Sequence, residues 1–258
     1  MNIGRTIEHV VGSIDAAEER REPFHHLQLV RVFPADVYAG MLEAMPESGD
    51  YGEMSGRARD ARATDGSAAR TKVDLFPEGM LRLNKQKKVV WDAIGHVLRA
   101  TPVRDAFVRK LAPGLERRFG SRFKAVGMYA VPILTRDLPG YQIGIHSDTL
   151  WKGITVQIYL PRDDSITHIG TVFHSRNPDA SYRVALRMPF SPNSGYAFAV
   201  GSDTHHSVDT VGPEVRTRDS ILVNYFVDDT LMQVAKNRSK RLGNFMRGLG
   251  WRQAESRT

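Results

Sequence analysis

The chain has no cysteine among its 258 residues. Disulfides are therefore excluded, and so are thiolate metal sites and cysteine nucleophiles; any metal must be held by nitrogen and oxygen donors. Long apolar runs are also missing, and no stretch approaches the roughly 20 residues a membrane-spanning helix needs. The first twenty residues are polar and mixed in charge, without the apolar centre of a secretory signal, which predicts a cytoplasmic protein. Internal repeats and low-complexity tracts are absent. At 41% hydrophobic and 25% charged, the chain has the make-up of a globular protein with a sizeable core.

The formal charge is +7, which raises the question of nucleic acid or another acidic partner. The excess lies at Lys85, Lys87 and Lys88, at Arg117 and Arg118, and in the tail at Lys236, Arg238, Lys240, Arg241, Arg247 and Arg252. Aromatic residues do not alternate with these cations as base-stacking platforms would require. The reading that follows is a basic surface with a small-molecule substrate, nucleic acid being possible but not favoured.

Patterning divides the chain. Residues 5–20 read as a polar helix and Phe24–Phe33 as a strand. Pro34-Ala35-Asp36 opens a helix that runs to Met45, with the acid near the positive helix end. Residues 47–75 read as a long loop, rich in Gly, Ser, Ala, Asp and Arg. Its Arg57, Arg59, Arg62, Arg70 and Lys72 could meet an anionic group or simply solvate the loop. Helical spacing returns at Lys85–Arg99 and Val103–Phe119. From Arg122 the pattern becomes eight short β runs: Phe123–Val131, Tyr141–His146, Ile154–Leu160, Ile169–His174, Tyr182–Met188, Gly195–Val200, His205–Val211 and Ser220–Val227. Eight short strands without intervening helices predict a double-sheet jelly roll or a related barrel. The expected arrangement is one domain over 1–258. Its parts are a mostly helical 1–121, a jelly-roll core at 122–228 and a basic helical segment and tail at 229–258.

The chemistry-bearing residues fall in this β half. His146 and Asp148 are two apart, so on a continuing strand both face one side while Ser147 faces away. A third donor must come from a distant strand folded back beside them. His205-His206 supplies it, and parity selects His206, which shares a face with the apolar Val208; His205 then points outward or supports the site. Two histidines and one carboxylate on one side of a metal, with open positions opposite, is an arrangement suited to non-haem Fe(II). The other histidines (His9, His25, His26, His96, His168 and His174) show no comparable pairing. Arg218 and Ser220 open the last β run in step with each other, a guanidinium and a hydroxyl suited to holding a carboxylate. Arg216 has the same parity, but the serine is two residues from Arg218.

In order and spacing, "YQIGIHSD", "ITVQIYLP", "GYAFAVGSDTHHSV" and "RTRDSILVNYF" resemble the 2-oxoglutarate-dependent Fe(II) oxygenases. The resemblance covers Phe123 to Asp228; the N-terminal half offers no independent match. It implies a double-stranded β-helix core. Fe(II) would be held by His146, Asp148 and His206, with 2-oxoglutarate chelating the metal and its distal carboxylate gripped by Arg218 and Ser220. O2 would be the co-substrate, with succinate and CO2 as products. Related halogenases replace the aspartate by a small residue. Asp148 is present, so the resemblance points to hydroxylation of an unactivated C–H, in a small molecule such as an amino acid or natural-product intermediate. Tyr129, Gln142, Trp151 and Lys152 are candidates for contact with that substrate. Tyr129 and Trp151 have ordinary core packing as the alternative. The competing readings are an oxygenase acting on protein or nucleic acid, and a cupin-like metal-binding protein without oxygenase activity.

Overall fold

The computed structural model describes residues 1–54, 62–63, 66–227 and Ser239. The strands are β1 (Glu18–Arg20), β2 (His26–Val30), β3 (Gly52–Glu53), β4 (Arg70–Asp74), β5 (Met128–Asp137), β6 (Ile143–His146), β7 (Lys152–Tyr159), β8 (Val172–Arg176), β9 (Tyr182–Arg187), β10 (Ser194–Ala199), β11 (His206–Val208) and β12 (Arg218–Val227). The helices are α1 (Ile3–Asp15), α2 (Ala35–Glu43), α3 (Lys85–Arg99), α4 (Thr101–Lys110) and α5 (Ala112–Phe119). An eight-stranded sheet, ordered β1-β2-β10-β7-β12-β5-β4-β3, faces a four-stranded sheet ordered β6-β11-β8-β9, and every pairing is antiparallel. This is the jelly-roll core expected from the sequence, with helices on the outer face of the larger sheet.

Strand alternation gives the large sheet two different faces. Leu134, Ile154, Val156, Ile158, Ala197, Ile221, Val223 and Tyr225 point one way and pack with Trp91, Ile94, Val97 and Leu98 of α3 and with Phe107 of α4. Each Leu, Ile, Val or Phe among them, fully buried, contributes roughly 1.5–3 kcal/mol. The α3 helix starts where Asn84 caps it, its Oδ1 accepting from Lys87 N at 2.9 Å, as the side-chain oxygen of an N-cap does. The Trp91 indole donates to Ala44 O at 2.7 Å, tying α3 to the end of α2. Toward the small sheet lies a second cluster, rich in aromatics: Phe24, Tyr141, Tyr159, Phe173, Phe190, Tyr196 and Phe198.

Several boundaries differ from the sequence expectation. The helix expected over 5–20 stops at Asp15, and Glu18–Arg20 pairs with β2 as an edge strand. The single helix expected over Val103–Phe119 breaks at Leu111. Pro113 has no N–H, and its ring would clash with the carbonyl four residues back if the helix ran on. The strand expected over Phe123–Val131 starts later and runs further, to Asp137, passing through Pro132. Pro132 O accepts from Leu75 N, so its nitrogen also faces the β4 side, just where β4 ends at Asp74. The one bond Pro132 cannot donate there, to Leu75 O, is replaced by one from Arg99 Nη1. Residues 70–74, expected as loop, form β4, paired along β5. The segment expected as a basic C-terminal helix, 229–258, lies outside the described residues apart from Ser239, as do 55–61 of the expected loop, with Arg57 and Arg59.

Candidate metal centre

The site is built on the polar side of the large sheet and the strand pair β6–β11. Between β5 and β6 the chain reverses at Leu138–Tyr141, where Tyr141 N donates to Leu138 O at 3.0 Å. Gly140 in this turn has φ +92°, the left-handed conformation required at the third position of a type II turn, with Pro139 before it. β6 then runs antiparallel to β11, with Val208 opposite Ile143 and His206 opposite His146. Three steps on β6 oppose two on β11, so β6 carries a bulge. Simple alternation from the inward Ile143 would turn His146 outward; the extra residue turns it in. The strand ends at His146, so Asp148 reaches the site from the following turn rather than from a continuing strand.

His146, Asp148 and His206 each offer a ligand atom, all within 4.8 Å of one another. The two imidazole centroids are 4.4 Å apart. His146 Nδ1 lies 2.9 Å from Gly144 O and His206 Nδ1 lies 3.0 Å from Thr204 O. A carbonyl can only accept, so both Nδ1 atoms carry the proton and each Nε2 is left as the nitrogen with a lone pair. His205 is turned away, its Nδ1 3.2 Å from Asp203 O and its ring against Tyr182.

Asp148 is held at both oxygens: Lys152 Nζ donates to Oδ1 and Thr155 Oγ1 to Oδ2, each at 2.6 Å. Burial pushes its pKa up, but Lys152, His206 and these hydrogen bonds outweigh that and hold the carboxyl at about 2. His206 moves the other way from an ordinary histidine: burial lowers it to about 4, against the pull of Asp148. At neutral pH the cluster therefore presents a carboxylate and a neutral imidazole already in ligand form. Two nitrogens and one oxygen, with no sulfur, fit a borderline divalent ion such as Fe(II).

A second polar group lies on the same face of the large sheet. Arg218, Asp137 and Arg70 stand directly opposite one another on β12, β5 and β4. Arg218 is fully buried; it donates through Nη1 to Asp137 Oδ2 at 2.8 Å and through Nε to Ile169 O at 2.9 Å. Arg70 takes both oxygens of Asp137, at 2.5 and 3.0 Å. Arg216, the alternative of equal parity, is exposed. Ser220 is buried on the floor beside Arg218, its hydroxyl engaged by Gln157 Nε2 and Thr135 Oγ1, both at 2.9 Å. Thr171 and Tyr196 complete this network around Gln157 Oε1. The Tyr141 hydroxyl is buried with no hydrogen-bond partner among the described residues, and the Arg70 guanidinium sits 4.2 Å from its ring centroid. A buried cation and an unused hydroxyl fit the carboxylate end of a keto acid.

The substrate candidates separate. Lys152 holds Asp148 of the metal cluster, and its chain neighbour Trp151 is half exposed at 52%. Tyr129 is on β5, stacked on Phe226. Gln142 does not join the site: it is exposed and accepts a hydrogen bond from Thr210. Of the loop cations, Arg70 is buried, and Lys72 is paired with Asp74 at 2.7 Å. Thr155, Gln157 and Asp137 did not stand out in the sequence, and Arg70 did so only as one of five loop cations able to meet an anion. Thr155 and Gln157 carried a signal, since polar residues at alternate positions of an apolar central strand mark a face that is not core.

No protein-family model matches the chain, and no curated protein does. Solved structures do. A prolyl hydroxylase from Trichoplax adhaerens, in complex with a hypoxia inducible factor oxygen degradation domain peptide fragment, is 11% identical with a TM-score of 0.50, covering 87% of this chain and 90% of that one. A prolyl-4-hydroxylase from Pseudomonas putida is 16% identical with a TM-score of 0.48, covering 85% and 98%. The likeness to the Trichoplax protein shows that the two share the jelly-roll fold.

Proposed function

We propose that the protein is an Fe(II)- and 2-oxoglutarate-dependent oxygenase that hydroxylates an unactivated C–H of a small molecule, such as an amino acid or natural-product intermediate. The observation that carries this reading is the clustering of His146, Asp148 and His206, with a buried arginine on the same sheet face. When bound, iron with 2-oxoglutarate and O2 supplies the oxidising chemistry: one oxygen atom goes into succinate, the other into the hydroxylated product, and CO2 is released. His146 and His206 would hold the metal through Nε2, with Gly144 O and Thr204 O fixing their orientation. Asp148 would give one carboxylate oxygen while Thr155 or Lys152 keeps the other. Arg218 would meet the distal carboxylate, with Ser220 completing the polar wall. Phe173, Tyr196 and Phe198 wall the interior beside His206.

A second reading, an oxygenase acting on a protein side chain, is favoured by the apolar residues left exposed near the metal cluster: Ile145 at 43%, Leu150 at 60% and Trp151 at 52%. Succinate formation from 2-oxoglutarate with Fe(II) and O2 tests the class, with Asp148→Ala and Arg218→Ala as controls. Wild-type turnover that both variants lose is expected. A purified protein that retains a different metal and never turns 2-oxoglutarate over contradicts it. Product analysis with free amino acids against peptides separates the two substrates.

A further inference from the structure

Among the described residues, the Arg70–Asp137–Arg218 row is unbalanced. Two guanidiniums face one carboxylate, with Asp137 and Arg218 fully buried and Arg70 at 8% exposure. The next pair along the floor, Lys72 with Asp74, is balanced by itself. Asp137 is shared unequally: Arg70 binds both of its oxygens, whereas Arg218 reaches only Oδ2. A lone charge in an apolar interior is costly, so a buried row with one net positive charge is built to be completed by an anion. We infer that Arg70 is a positioning residue for the carboxylate subsite. It neutralises Asp137, and so leaves the charge of Arg218 for one carboxylate of the ligand.

The motif around Arg218 does not contain this device. Without Arg70, Asp137 is the counter-ion of Arg218 alone, the row is neutral, and a second carboxylate is repelled. With Arg70 in place the net charge is that of one cation, which matches a carboxylate. The buried hydroxyl of Tyr141, without a partner among the described residues, gives the same corner a spare donor. Because affinity follows the charge of the row rather than any one contact, removing both Arg70 and Asp137 restores what removing Arg70 destroys.

This inference rests on the oxygenase reading, and calorimetry on Mn(II)-loaded protein separates the two. The probes are 2-oxoglutarate and 2-oxobutanoate, which keeps the keto acid end and lacks the distal carboxylate. Arg70→Gln is expected to weaken 2-oxoglutarate about tenfold or more and to leave 2-oxobutanoate unchanged. Asp137→Asn is expected to bind 2-oxoglutarate at least as well as wild type, and the double variant R70Q/D137N to return to within about threefold of it. Equal binding by R70Q and wild type, or no recovery in the double variant, overturns the inference. A wild-type protein with no preference for 2-oxoglutarate over 2-oxobutanoate instead overturns the reading beneath it. Should R70Q not fold, D137N against the double variant carries the test: the extra positive charge in D137N is expected to tighten 2-oxoglutarate about tenfold, and equal affinities contradict the proposal.

Discussion

The two faces of the large sheet come from the same strands and do different work. On β7, Ile154, Val156 and Ile158 face the helices while Thr155, Gln157 and Tyr159 face the small sheet. On β12, Ile221, Val223 and Tyr225 face the helices while Arg218, Ser220 and Asn224 face inward. One face holds the protein together by burying hydrocarbon; the other buries charge and hydroxyls in an extended network. The second face costs stability, because each polar group must be desolvated, and that is the kind of cost borne at binding sites rather than in cores.

Four experiments sharpen this division. His206→Ala acts on the polar face alone: metal affinity is expected to fall beyond the roughly 100-fold that loss of a supporting residue causes, as read by metal titration. Ile158→Ala is the reverse case. It is expected to cost about 2–5 kcal/mol in denaturant unfolding while the folded protein still binds metal normally. The third is pH. His206 sits at about 4 in the fold, held down by burial, against about 6.5 unfolded. Its neutral form is the folded one, so its contribution is complete above about 6.5 and is lost as pH falls toward 4, at roughly 1.4 kcal/mol per unit. Burial lowers His26 and His174 in the same direction. Metal-free melting should therefore drop over that range, and His206→Gln should flatten the slope. The smallest effect is Thr155→Val, expected to weaken metal about 10-fold with little change in unfolding, since it removes one hydrogen bond to Asp148 and keeps the side-chain shape.

Legibility in the sequence followed the same division. The apolar face announces itself through periodicity: α3 has the bounds its spacing predicted, and each of the eight β runs corresponds to a strand. The metal cluster was legible because His146 and Asp148 are local and parity selected His206, although a bulge and a turn, not a continuing strand, bring them together. Asp137 was not legible, and Arg70 stood out only as one of five loop cations, with nothing to join the two. They are 67 positions apart, and their pairing is a fact of sheet register. β4 lies in a stretch of loop-like composition, and its alternate residues Arg70, Lys72 and Asp74 face a polar floor, so it lacks the pattern of a core strand. Gln142 is close to His146 in sequence, but its side chain is exposed and paired with Thr210.

The claim that one face of the sheet holds both metal and keto acid is tested most directly by titrating 2-oxoglutarate into the protein under anaerobic conditions, with and without Fe(II). One equivalent is expected to bind the iron-loaded wild type, with much weaker binding to metal-free protein and to iron-treated His206→Ala. Binding that is indifferent to iron and to His206, or absent altogether, would contradict the account.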